Sequence, residues 1–285
     1  MRFSRSGNDV DGQGLACRWS HLGQTRRLVW AIGPALPLLI IAVASGPLLQ
    51  PEDYHRFRDG RELLGLPNFL NVVSNLPFLA IGLLGLAWLA SAKAQLPRHL
   101  KLCYAVLFAG IGLTAAGSAY YHWAPDNNTL VWDRLPMAVA FMGLFAGFLT
   151  ERLRLDDITS VRLLVALVAF GVGSVAYWSA TGDLSVYALA QFYPIVAIPI
   201  ILWATPASYT RGGDWLVAIA IYVGAKVLEH GDGAVLQTVG YVSGHTLKHL
   251  AAAGGAWWIY RMLRRRQPVT ATPDNSVDYP LPLKG

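Results

Sequence analysis

Two short stretches, far apart in the chain, carry polar residues at a spacing that chemistry can use. In Ser118-Ala119-Tyr120-Tyr121-His122 and in His245-Thr246-Leu247-Lys248-His249, two polar side chains stand four residues apart within an apolar run. On a helix, residues i and i+4 share a face, roughly 5–6 Å apart at Cβ. Asp133, eleven residues beyond His122, adds a carboxylate. Three imidazoles, one carboxylate and one hydroxyl can therefore meet inside a helix bundle. Three nitrogen ligands with a free fourth position is the usual layout of a catalytic zinc site. The same spacing also serves interhelical hydrogen bonding and haem ligation, and a lone histidine such as His122 serves as an interface residue at a span end. Ser118 alone reads as a helix-packing serine. Asp133 alone reads as a carboxylate favoured by a helix N-terminus.

The elements that must position these groups follow from composition. Of 285 residues, 54% are hydrophobic and 14% charged, where a soluble domain carries about 25% charged residues. The expected fold is therefore all-α, a polytopic transmembrane helix bundle embedded in the lipid bilayer. The net charge of +6 is concentrated between apolar runs and at the two ends, so topology accounts for it and nucleic acid is not expected as a partner. The two cysteines, Cys17 and Cys103, are not a disulfide framework or a metal site.

A basic leader covers residues 1–27. Residues 28–46 form an apolar run that reads as an extra N-terminal span or signal anchor, although Ala42-Val43-Ala44 also has the form of a cleavage site. A polar loop follows at 47–68. Seven further apolar runs lie at about 69–91, 100–121, 131–150, 162–180, 184–203, 214–230 and 236–260 within a domain of residues 69–263. The proline-containing end, 264–285, reads as a disordered tail. With the N-terminus inside, seventeen lysines and arginines fall on inner segments and only Arg56, Arg58 and Arg61 on outer loops. The positive-inside rule then gives eight spans with both ends cytoplasmic. His122, Asp133 and the His245/His249 pair all come to the outer half of the bilayer, with the pair about 14 and 20 Å along the last span at 1.5 Å per residue.

Ser118-x3-His122, Asp133 and His245-x3-His249 together resemble the signature of the alkaline ceramidases, a family of seven-helix membrane hydrolases related to the adiponectin and progestin receptors. Asn71-Val72-Val73-Ser74-Asn75-Leu76 and Ser243-Gly244-His245-Thr246-Leu247-Lys248-His249 strengthen the likeness to bacterial members, which covers roughly residues 50–262. The resemblance implies a seven-helix ceramidase-like core, a zinc ion held by His122, His245 and His249, and catalytic roles for Asp133 in proton transfer and Ser118 at the reacting group. It implies a ceramide-like membrane lipid as substrate and a place in the bacterial inner membrane. It also implies a calcium ion near the N-terminal segment, for which Asp53, Asp59, Asn68 and Asn71 are the candidate oxygen ligands. The family's contiguous acidic run is not reproduced, and Asn68 stands where the family has a glutamate; a solvated outer loop fits the same residues.

Lys226, Glu229 and Asp232 close one run near the same face and read as a salt bridge or a gate to the site. Trp30, Trp123, Trp132, Trp178, Trp203 and Trp215 read as an interfacial aromatic belt. The competing functions are a receptor or sensor with a structural metal, and a membrane haem protein using His245 and His249.

Overall fold

The computed structural model describes residues 23–269; most of the leader and of the tail lies outside them. Among the described residues the elements are helical, with isolated bridges but no strand. The chain is a helical membrane bundle. Six segments are long and apolar enough to cross a membrane: Thr25–Ala42, Phe69–Ala90, Arg98–Trp123, Asn127–Arg152, Asp157–Thr181 and Ser185–Ala204.

Helices α1 (Gln24–Ile32) and α2 (Ala35–Ala44) are parted at Gly33-Pro34, where proline has no N–H to continue the ladder. Helix α3 (Phe69–Val73) is one short turn, and α4 (Leu76–Ala90) restarts with Pro77 in its first turn, a position that tolerates the missing N–H. Then come α5 (Arg98–Trp123), α6 (Asn127–Arg152), α7 (Asp157–Thr181) and α8 (Ser185–Ala204). Helices α9 (Gly213–His230), α10 (Asp232–Val239) and α11 (Gly244–Arg265) complete the order. Long helices α9 and α11 pack on each other inside the bundle. Their apolar character is interrupted by Asp214, Lys226 and Glu229 in one, and by His245, Lys248, His249 and Arg261 in the other.

The last apolar run is not one helix from 236. Gly240, at φ +84°, ends α10 in the left-handed region, which glycine adopts without a Cβ penalty. Ser243 then caps α11 by accepting the Thr246 N–H. His245 and His249 accordingly sit in the first two turns of their helix, not 14 and 20 Å along it. The tail expected from 264 is also displaced. Arg266 is buried and pairs with Glu151 at 2.6 Å, and Tyr209 bridges to Pro268.

Helices α5 and α6 form the most extensive helix pair. An Asp126–Thr129 capping box starts α6 and places Asp133 two turns in. Close approach depends on small residues. A Cβ on Gly117 would lie 2.0 Å from the Trp132 carbonyl oxygen, and one on Gly110 would lie 2.7 Å from the Ala140 nitrogen. The core is filled by Tyr104, Phe108, Phe145, Phe148 and Leu149. At one end Glu151 accepts from Arg266 at 2.6 Å and from the Tyr104 hydroxyl at 2.8 Å.

Gly117→Ala is expected to push α5 and α6 apart and destabilise the bundle by about 1–3 kcal/mol, as overpacking does; thermal melting in detergent reads it. Glu151→Ala is expected to cost about 3–5 kcal/mol, because it strands the Arg266 charge.

Candidate metal centre and its cavity

The three histidines converge. His122 Nε2 lies 3.2 Å from His249 Nε2 and 3.4 Å from His245 Nε2. One ligand atom from each of the three falls within 4.8 Å of the others, and all three residues are buried. The last turn of α5 supplies one imidazole and the first two turns of α11 supply the others. This group could bind a metal ion. The haem arrangement does not fit: with three ring nitrogens this close, there is no gap for a macrocycle between His245 and His249.

The His249 ring is held from behind, and the backbones of the other two histidines are tied. The Ser74 hydroxyl donates to the Asn71 carbonyl at 3.1 Å, so with that proton committed it accepts the His249 Nδ1–H at 2.8 Å. That fixes the tautomer and turns the His249 Nε2 lone pair toward the cluster. Asn71, fully buried, accepts from the Thr246 hydroxyl at 2.8 Å. Asp232 accepts the His245 backbone N–H at 2.8 Å and the Arg58 N–H at 3.2 Å. Asn68 donates to the His122 carbonyl at 2.9 Å.

Residues 47–68 cover this centre. Phe57 lies with its ring 4.6 Å from that of His122 and 4.9 Å from that of His245. His55 bridges the Tyr121 hydroxyl and Asn127 at 3.0 and 3.1 Å. The Leu48 N–H donates to Asp183 at 3.0 Å. Asp59 takes two hydrogen bonds from the Arg61 guanidinium, both at 2.7 Å, which hold its carboxyl below the usual carboxylate range. Its folded-state pKa is depressed, so the clamp contributes above the ordinary carboxylate pKa and is lost as pH falls through the lowered one.

Of the calcium candidates, Asp59 is thus committed to Arg61, and Asn68 and Asn71 to the histidine-bearing segments, while Asp53 is exposed. Glu229, not Asp232, neutralises Lys226, and it also accepts from Lys248 at 2.8 Å. Asp232 instead positions His245.

A cavity of about 460 Å³ opens beside the centre, within the size range of ligand pockets. Its long apolar part is lined by residues such as Phe78, Ile111, Phe141 and Ile198, and its polar end by Ser118, Asp133, His249, Glu229 and Lys248. The Ser118 hydroxyl faces the Asp133 carboxylate, whose Oδ1 is buried without a partner. Ser118, Asp133 and one of the three histidines therefore share one pocket. No family model matches the chain, and no curated protein matches it.

The sequence reading did not assign Ser74, Phe57 or Lys248 a part in the site. Ser74 carried a signal, a hydroxyl three residues from Asn71 at the head of an apolar run; Phe57 carried none. Ser74→Ala is expected to weaken metal binding about 10–100-fold, read by competition with a chelator of known affinity, while the fold persists.

Proposed function

We propose that this protein is a zinc-dependent amide hydrolase of the membrane, related to the alkaline ceramidases and cleaving ceramide or a similar N-acyl lipid into fatty acid and amine. The observation that carries the reading is the spacing of the imidazole nitrogens. A tetrahedral zinc with Zn–N bonds of 2.0–2.1 Å needs its ligand atoms roughly 3.3 Å apart. Two of the three separations are 3.2 and 3.4 Å, and the three ligand atoms all lie within 4.8 Å of one another. The Lys248 ammonium donates to His245 Nε2 at 3.1 Å and to Glu229 at 2.8 Å. With a cation held by the imidazoles, Lys248 would give up His245 and keep Glu229 as its partner.

Zinc held by His122, His245 and His249 supplies Lewis-acid activation of water, lowering its pKa to about 7. The protein's own groups do the rest. Asp133, with one oxygen free of hydrogen bonds, accepts the proton of the attacking water and delivers it to the leaving nitrogen. Ser118, across from it, donates to the oxygen on which negative charge develops. The apolar wall of the cavity holds the acyl chain and keeps bulk water from the amide. The distribution of lysine and arginine supports both termini in the cytoplasm and a site toward the outer face, and the resemblance to bacterial ceramidase-like proteins supports an inner membrane.

Purified protein is expected to hold about one zinc per chain and to release fatty acid from ceramide. His245→Ala should abolish both. Asp133→Asn should lower kcat about 10²–10⁴-fold and Ser118→Ala about 10²–10³-fold, with zinc content retained. Fatty acid release undiminished by His245→Ala overturns the mechanism. Full zinc content without turnover of any N-acyl lipid supports the receptor reading instead.

A further inference from the structure

Arg134 follows Asp133 on α6 and lines the same cavity. It is only 5% exposed. Its guanidinium carbon lies 4.0 Å from the Trp178 ring centre, 5.1 Å from that of Tyr187 and 5.7 Å from that of Tyr54. Trp178 was expected in an interfacial belt; it is buried and forms one wall of this cage. Nη2 of Arg134 donates to the Gln50 side chain. Nη1 is buried with no partner, and no carboxylate pairs with this guanidinium among the described residues.

An arginine does not shed its proton to escape burial. An ionisable group at membrane depth is costly and marks function. Aromatic faces stabilise the cation but leave its fork of N–H donors without an acceptor. The cavity lining holds Arg134, Lys226 and Lys248 against Asp133 and Glu229, one positive charge in excess before any metal is counted. An anion brought through the cavity would answer both the unmet donor and the excess charge.

Building on the hydrolase reading, we infer that the cognate lipid is acidic: an N-acyl lipid bearing a carboxylate or phosphate that meets Nη1 of Arg134. Ceramide, which is neutral, leaves this donor unmet. A planar oxyanion matches the guanidinium fork in two parallel hydrogen bonds. The aromatic walls hold that fork in one plane, so the group selects substrate by charge and by shape.

The test separates binding from turnover. Non-cleavable ether lipids, hexadecyloxyacetate and its neutral counterpart 2-(hexadecyloxy)ethanol, are titrated onto the full-length protein in nanodiscs, with hexadecyl phosphate as the phosphate arm. The anionic ligand is expected to bind about tenfold or more tighter than the alcohol, as a charge-assisted bidentate pair allows. Arg134→Gln should bring that ratio to about threefold or less, and Arg134→Lys, which keeps the charge without the fork, to an intermediate value. Whichever of carboxylate and phosphate loses more affinity with Arg134→Gln is the natural group. Melting curves check that each variant is folded; if Arg134→Gln does not fold, Arg134→Lys and the wild-type ratio decide. Equal affinity for acid and alcohol, or a preference that survives in both variants, overturns the inference. In parallel, N-oleoylglycine and N-oleoylethanolamine are offered as substrates. Arg134-dependent binding without cleavage of either rejects the hydrolase and keeps the acidic ligand. Cleavage of both at equal kcat/KM keeps the hydrolase and rejects the acidic ligand.

Discussion

Three imidazoles brought to one point form the constraint on which this structure depends. Such an arrangement costs the ring nitrogens their water, and what the His245 nitrogen regains is the Lys248 ammonium. It persists because the back of the His249 ring and the backbones of His245 and His122 are tied elsewhere. Ser74 and Asn71 hold α11 through His249 and Thr246, Asp232 holds the amide of His245, and Asn68 holds the carbonyl of His122. These four residues come from the end of the outer loop, from α3 and the break after it, and from the start of α10. The long helices carry the three histidines, and these shorter segments anchor them.

The helices supply the rest of the environment. Apolar side chains from six helices wall a cavity that also holds Asp133, Arg134, Lys226, Glu229 and Lys248. Low dielectric strengthens any interaction with charge developing there, and Glu229 with its two lysines shows the protein already balancing charges in that medium. Asp133 and Arg134, adjacent in sequence, differ in what they meet. One faces Ser118 and the other is boxed by three aromatic rings.

The bundle and the His245/His249 pair were legible in the sequence because both rest on local periodicity, whereas His122 reached the group through the family resemblance. Long apolar runs announce helices, and His245-x3-His249 announces one face. The break at Gly240–Ser243 was not legible, since a run judged by hydropathy gives no weight to a capping serine among apolar neighbours. Ser74 was quoted as part of a motif, yet its hydroxyl bond to His249 joins residues 175 apart. Phe57 and Trp178 were hidden for the same reason. One stood in a loop that read as solvated and the other in a span end that read as interfacial, and only the tertiary fold turns them inward.

The Glu151–Arg266 pair closes the bundle with almost the last described residue of the chain. Its carboxylate is laid down more than a hundred residues before its cation. During synthesis, therefore, α6 enters the bilayer with a buried acid awaiting a counter-ion. The imidazoles on α11 arrive in the same final segment. Assembly of the centre and neutralisation of Glu151 are thus one late event, and a nascent chain halted ahead of Gly244 has neither a complete ligand set nor a settled core.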